Sequence, residues 1–256
     1  MRLGVVEYNA GKVAVAKGHL EKALALNPES KWVHLWNGVI ASDGGKIDEA
    51  MDHFTKALEV DPRFDLAHYN IAWAYLGQKP KVYDKAEAAF RKALALNPNY
   101  KQALYGLGMV FGYQRDYEVA HGYMSKALDL DPQFLTARKW RGIVNEELGD
   151  LDNARADFSL AIAIDPSQPD LYVRRSRALI KSKNFSDALS DLQFAKRLDP
   201  KNSRIELYLS RIYQKLGQGD AAIDSVNNAL ILKPSYADAL AHRAELFLEV
   251  GDLDKA

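Results

Sequence analysis

An all-α solenoid of antiparallel helix pairs is the fold class that three features of this sequence predict. Prolines stand at 28, 62, 98, 132, 166, 200 and 234, at steps of 34, 36, 34, 34, 34 and 34 residues. Two alanine columns keep register with them. Ala16, Ala50, Ala86, Ala120, Ala154, Ala188 and Ala222 lie twelve residues before the prolines, and Ala23, Ala57, Ala93, Ala127, Ala161, Ala195 and Ala229 lie five before. A third small column follows each proline by ten: Gly38, Ala72, Gly108, Gly142, Ser176, Ser210 and Ala244. Self-similarity at this period marks stacked supersecondary units that bury a continuous core between neighbours.

The stretch 82–113 shows what one unit contains. Ala86, Phe90 and Ala93 recur at helical spacing, Asn97-Pro98 stops that helix, and Leu104, Leu107, Gly108 and Phe111 form the next stripe. In chain order, 1–9 reads as the tail of a first helix and 12–26 as its partner. Full pairs follow at about 31–60, 65–96, 101–130, 135–164, 169–198 and 203–232, and a further first helix spans about 236–250. Residues 1–28 and 235–256 read as partial repeats of a single array over 1–256, the pattern of a segment cut from a longer protein. The 36-residue step places two extra residues in the turn at Gln78-Lys79-Pro80-Lys81, where insertion is tolerated. Gly108 is expected at a close helix crossing, while Gly106 and Gly112 are expected to thin a groove wall.

Taken together, the two small columns and the proline column resemble the tetratricopeptide repeat family over essentially the whole chain. The resemblance implies a right-handed superhelix whose first helices line a concave surface used for protein partners. The aromatic that the family often carries early in its first helix is replaced here by His34, His68, Leu104, Arg138, Tyr172, Glu206 and Leu240.

Composition excludes several functions. The formal net charge is zero and there is no cysteine, so neither a general attraction to nucleic acid nor thiolate chemistry is expected. No run approaches the ~20 apolar residues that span a bilayer, and no signal-peptide core is visible at the N-terminus; the cytoplasm is the default compartment. There is no phosphate loop and no nucleophile–His–acid spacing. His34 and His68, like His19 and His53, occupy equivalent slots one repeat apart, too far to share a metal ion. No catalysis, metal or cofactor is expected, and these histidines are expected at helix seams.

The informative residues are those at offsets 4, 7, 8, 11 and 15 after each proline, on the side of the first helices away from the small column. The face begins aromatic, with Trp32, Trp36, Tyr69, Asn70, Trp73, Tyr105 and Tyr113. It turns basic through Lys139, Trp140, Arg174, Arg177, Lys181, Arg204, Tyr208, Arg211 and Lys215. Between Leu171 and Lys215 there are eleven Lys/Arg against four Asp/Glu. The expected function is a non-catalytic scaffold that holds an extended or helical partner segment, apolar plus acidic, in this groove. Two alternatives fit the same residues: homo-oligomerisation through open repeat ends, and carbohydrate stacking on the aromatic wall. Some members of the resembled family bind an acidic C-terminus through Lys, Asn and Arg in three consecutive repeats. Lys139, Arg174 and Arg204 fall in or near that register, but Ile143 and Arg174 stand where asparagine is expected and Tyr208 replaces a basic residue, so a general acidic-ligand site is expected instead.

Overall fold

The computed structural model describes residues 2–249, which form fifteen helices and no strand. The described residues fall into two compact units that part between Pro132 and Gln133. The first holds α1 (Arg2–Asn9), α2 (Val13–Leu26), α3 (Lys31–Asp43), α4 (Ile47–Val60), α5 (Asp65–Gly77), α6 (Tyr83–Leu96), α7 (Lys101–Gln114) and α8 (Tyr117–Leu130). The second holds α9 (Leu135–Glu147), α10 (Leu151–Ile164), α11 (Pro169–Lys181), α12 (Phe185–Leu198), α13 (Ser203–Lys215), α14 (Gly219–Leu232) and α15 (Ala237–Glu249). The helix pairs therefore stand where the period placed them. The second helix expected to begin near 251 lies outside the described residues.

Within each pair, the small column receives a large side chain from the facing helix. Phe54, Phe90, Met124, Phe158, Leu192 and Val226 are all fully buried. A Cβ on Gly38 would lie 2.5 Å from the Phe54 ring, and one on Gly142 would lie 2.8 Å from the Phe158 ring. Where the small residue is Ser210, its hydroxyl donates to the Ala222 carbonyl at 2.6 Å, so the polar atom is satisfied inside the seam.

The turns are built by the residue before each proline. Asn27, Asp61 and Asp165 accept the backbone N–H two residues on, at 3.2, 2.9 and 3.0 Å, and so bridge the proline that cannot donate. The slot six residues after the proline closes the turn from the other side. His34 Nε2 donates to the Pro28 carbonyl at 2.8 Å and the Tyr172 hydroxyl to that of Pro166 at 3.1 Å. This gives His34 and Tyr172 a structural role in that slot. Inside the pairs, Gly45, Gly149 and Gly217 take left-handed backbone at the turn, and Arg115 and Lys183 take it in the same place at a steric cost.

Gly106 differs from expectation. It does not thin a groove wall: a Cβ there would lie 2.3 Å from Cζ of the buried Phe90, so it belongs to the seam between α6 and α7. At Gly108 the neighbour is the flexible end of Met124, at 2.7 Å. Replacing a helical glycine by alanine gains ~1 kcal/mol of propensity, whereas overpacking costs ~1–3 kcal/mol. Gly106→Ala is therefore expected to lose about 1–2 kcal/mol net and Gly108→Ala less, because methionine can yield. Gly122→Ala, with open space around it, should gain up to ~1 kcal/mol. Urea denaturation of the three variants checks this order.

Stability should also fall on mild acidification. Burial holds His53, His68 and His242 below the ordinary 6.5, and His34 beside His53 and Arg211 near His242 act in the same direction. The unfolded chain thus binds these protons first, so stability present above pH 6.5 is lost as pH drops through and below that value. Unfolding midpoints at pH 7.5 and about 5.5 should separate, and His53→Gln should narrow the gap. Coincident midpoints would contradict the burial of neutral imidazoles.

Candidate functional site

In the first unit, the expected aromatic face divides into packed and open parts. Trp73 sits edge-on to Phe90 at 5.7 Å and beside Tyr69 and Tyr105 at 6.3 and 6.2 Å. Trp73 and Tyr69 cover the core cluster of α5, α6 and α7, to which Phe90 belongs. Burial pushes the phenols of Tyr69 and Tyr105 up, which marks them as walls more than contacts for water. Trp36 meets Tyr8 edge-on, and Asn70 spends its amide N–H on the Leu66 carbonyl at 2.7 Å. Trp32 and Tyr113 remain exposed, at 40% and 37%. Each is flanked by a cation: Lys31 lies 5.9 Å from the Trp32 ring, and Lys81 lies 3.5 Å from that of Tyr113. The longer turn of the second full repeat supplies Lys81.

In the second unit, the basic face is sorted by two acids that the sequence reading did not single out. Asp170 binds Lys139 at 2.8 Å, Arg174 at 3.0 Å and Arg204 at 3.0 Å. Burial alone would raise its carboxyl, but the lysine and arginine partners outweigh that and hold it at about 2. Glu146, whose side chain is 1% exposed, takes Arg177 at 3.1 Å and Lys181 at 2.9 Å. Trp140 is half-buried on α9. The signal for Asp170 was present in the sequence: it stands four residues after Pro166, at one of the offsets that define the face. Glu146 is at an offset of fourteen, on a flank the pattern does not count.

Arg211 and Lys215 make no ion pair among the described residues, and both are exposed. They share a cavity of about 370 Å³ with Arg177, Lys181, Tyr208, His242 and Glu245. The cavity is formed by α11, α13 and α15, so three successive first helices contribute to it. Five of the expected site residues therefore come together here, while Lys139, Arg174 and Arg204 gather on Asp170. A larger cavity, of about 550 Å³, carries Arg155 of α10 and Arg175 of α11 and is closed by α12. Its arginines are committed to Asp191 and Asp152, at 2.6 and 2.8 Å.

Among the described residues no group of three or more His, Asp or Glu side chains is placed to hold a metal ion, and no helix is long and apolar enough to cross a membrane. The tetratricopeptide repeat sequence profile matches residues 1–62, 38–100, 81–111, 105–169 and 207–256. The chain belongs to the tetratricopeptide repeat family. Proteins of this family generally mediate protein–protein interactions and are typically non-catalytic scaffolds. Among solved structures, the Pseudomonas aeruginosa pilF protein is 21% identical with a TM-score of 0.72, the match covering 86% of this chain and 97% of that one. PilW, described as a widely conserved type IV pilus biogenesis factor, is 23% identical with a TM-score of 0.72 over 82% and 96% of the two chains. YrrB, described as a TPR protein with an unusual peptide-binding site, is 25% identical with a TM-score of 0.57 over 71% and 92%. A search of curated proteins finds no significant match.

The Asp170 cluster should contribute to stability. Asp170→Asn removes a carboxylate whose side chain is 30% exposed and which binds three cations. The expected loss is about 1–2 kcal/mol at pH 7. Because the folded carboxyl is depressed to about 2 from 3.8, its contribution is present above 3.8 and lost as pH falls through about 2. Chemical denaturation of both proteins from neutral to strongly acidic pH tests this; a gap that does not close in acid would point to lost packing instead.

Proposed function

We infer that this chain is a non-catalytic scaffold that binds a partner protein through its first-helix faces, with the partner's acidic residues entering the α11–α13–α15 cavity. The observation that carries this reading is the selective pairing of charge. Asp170 and Glu146 hold Lys139, Arg174, Arg204, Arg177 and Lys181. Among the described residues Arg211 and Lys215 make no ion pair, at the rim of a concavity large enough for a side chain. Arginine offers a planar fork for a carboxylate, and neighbouring like charges favour a bound anion. The family membership and the likeness to a structure described as having a peptide-binding site support the same class. In the first unit, the exposed rings of Trp32 and Tyr113 offer area for apolar side chains of the partner.

A capped hexaglutamate peptide, titrated against the full chain at low and physiological salt, tests the acidic half. Binding should weaken as salt rises, because the cations are partly exposed and screened. Arg211→Glu should weaken it about tenfold or more, since it reverses a contact charge. Lys92→Glu, the same charge change on a second helix, should have little effect. Equal losses in the two variants would remove the cavity from the reading.

A further inference from the structure

We propose that the α11–α13–α15 cavity is proton-linked: His242 takes up a proton when a partner carboxylate enters, so binding tightens as pH falls below neutrality. This rests on the reading of Arg211 and Lys215 as the acidic-ligand site.

The geometry of His242 is unusual for a cavity-lining histidine. It is 3% exposed, its Nδ1 lies 3.5 Å from Oε2 of Glu245, and its Nε2 is buried with no hydrogen-bond partner among the described residues. An imidazolium carries two N–H donors and is costly to bury with one unmet; neutral imidazole requires less. The surrounding charges set the balance. Arg211 and Lys215 on α13 disfavour the cation. On α11, Arg177 and Lys181 add to this, although Glu146 offsets them. On α15 itself Glu245 and Glu249 favour the cation, but Glu245 is 68% exposed and hence screened, and Glu249 accepts from Gln214 at 2.7 Å. The carboxylates of α14, Asp220 and Asp224, are exposed. In the chain by itself burial prevails and holds the imidazole below its usual range, with Arg211 acting the same way and Glu245 opposing.

A carboxylate seated against Arg211 and Lys215 changes two of these terms at once. It cancels the repulsion from Arg211 and adds a negative charge inside a partly desolvated space. The protonated form of His242 is then favoured, and by linkage the protonated site holds the carboxylate more tightly by the same factor. The effect is distinct from the ion pairs on Asp170, which lie outside the cavity lining.

The test uses the full chain and the capped hexaglutamate peptide, whose carboxylates stay ionised from pH 5.5 to 7.5. The NMR titration midpoint of the His242 Cε1–H is read with and without saturating peptide, and affinity is read by calorimetry at both ends of that range. Filling the cavity should raise the midpoint by about half to one pH unit, and affinity should be about two- to sixfold higher at the acid end. His242→Asn should flatten the pH dependence while Arg211 remains required. The midpoint in the unaltered protein decides the matter even if that variant does not fold. Peptide binding that needs Arg211 but leaves both midpoint and affinity unmoved overturns the proton linkage and leaves the acidic-ligand site standing. No binding at either pH overturns both.

Discussion

The seam between small and large side chains is the constraint on which the rest of each unit depends. Phe54, Phe90, Met124 and Phe158 occupy space that exists only because Gly38, Gly106, Gly108 and Gly142 have no side chain. Close-packed interiors feel a change of one methylene, so these positions fix how near the two helices of a pair, and the next pair, can come. With one side of each first helix committed to that seam, the opposite side carries less of the packing, although Tyr69 and Trp73 still cover a core cluster from it. That is where α11, α13 and α15 present the side chains of the cavity.

Electrostatics then decides which of those side chains can act. A count of basic residues overstates the charge available to a ligand. Asp170 ties three cations together, and Glu146, almost wholly buried, ties two more. Breaking such a buried acid from its partners is costly, so these cations are structural first. Arg211 and Lys215 stand one repeat after Arg177 and Lys181, and the position equivalent to Glu146 is there Ile180 and not a carboxylate. The cavity is thus where the alternation of acid and base lapses.

The fold was legible because a repeat states its packing seven times over. A single proline or alanine carries little, but three columns in fixed register overdetermine the helix pairs. Gly106 was misread because its partner Phe90 belongs to the preceding repeat, and a pattern read within one repeat does not show contacts between repeats. The site was half legible. Offsets on a helix face located Arg177, Lys181, Tyr208, Arg211 and Lys215 together. Ion pairing was legible only for Arg174, one turn from Asp170 on the same helix; Lys139, Arg204, Arg177 and Lys181 reach Asp170 and Glu146 from neighbouring helices through long side chains whose direction a periodicity does not encode. The tryptophans were ambiguous for the same reason: Trp73 and Trp32 share a face in the sequence, yet one covers a core cluster and the other stays exposed.

The second unit also uses charge inside its pairs where the first uses apolar contacts. Arg141 holds Asp157 through two bonds of 2.9 and 2.8 Å, and Arg175 holds Asp191 through bonds of 2.8 and 2.6 Å. The equivalent first-helix residues in two repeats of the first unit are Ile71 and Leu107. A bidentate pair fixes the rotation of one helix against the other more strictly than aliphatic contacts, which tolerate sliding. It adds little net stability, because desolvation offsets much of the attraction. What these pairs contribute is direction. An apolar wall can tolerate some play. Under the proposed reading, a cavity that presents two cations and a buried imidazole to one carboxylate cannot, and α11, one of the helices forming it, is held by such a pair.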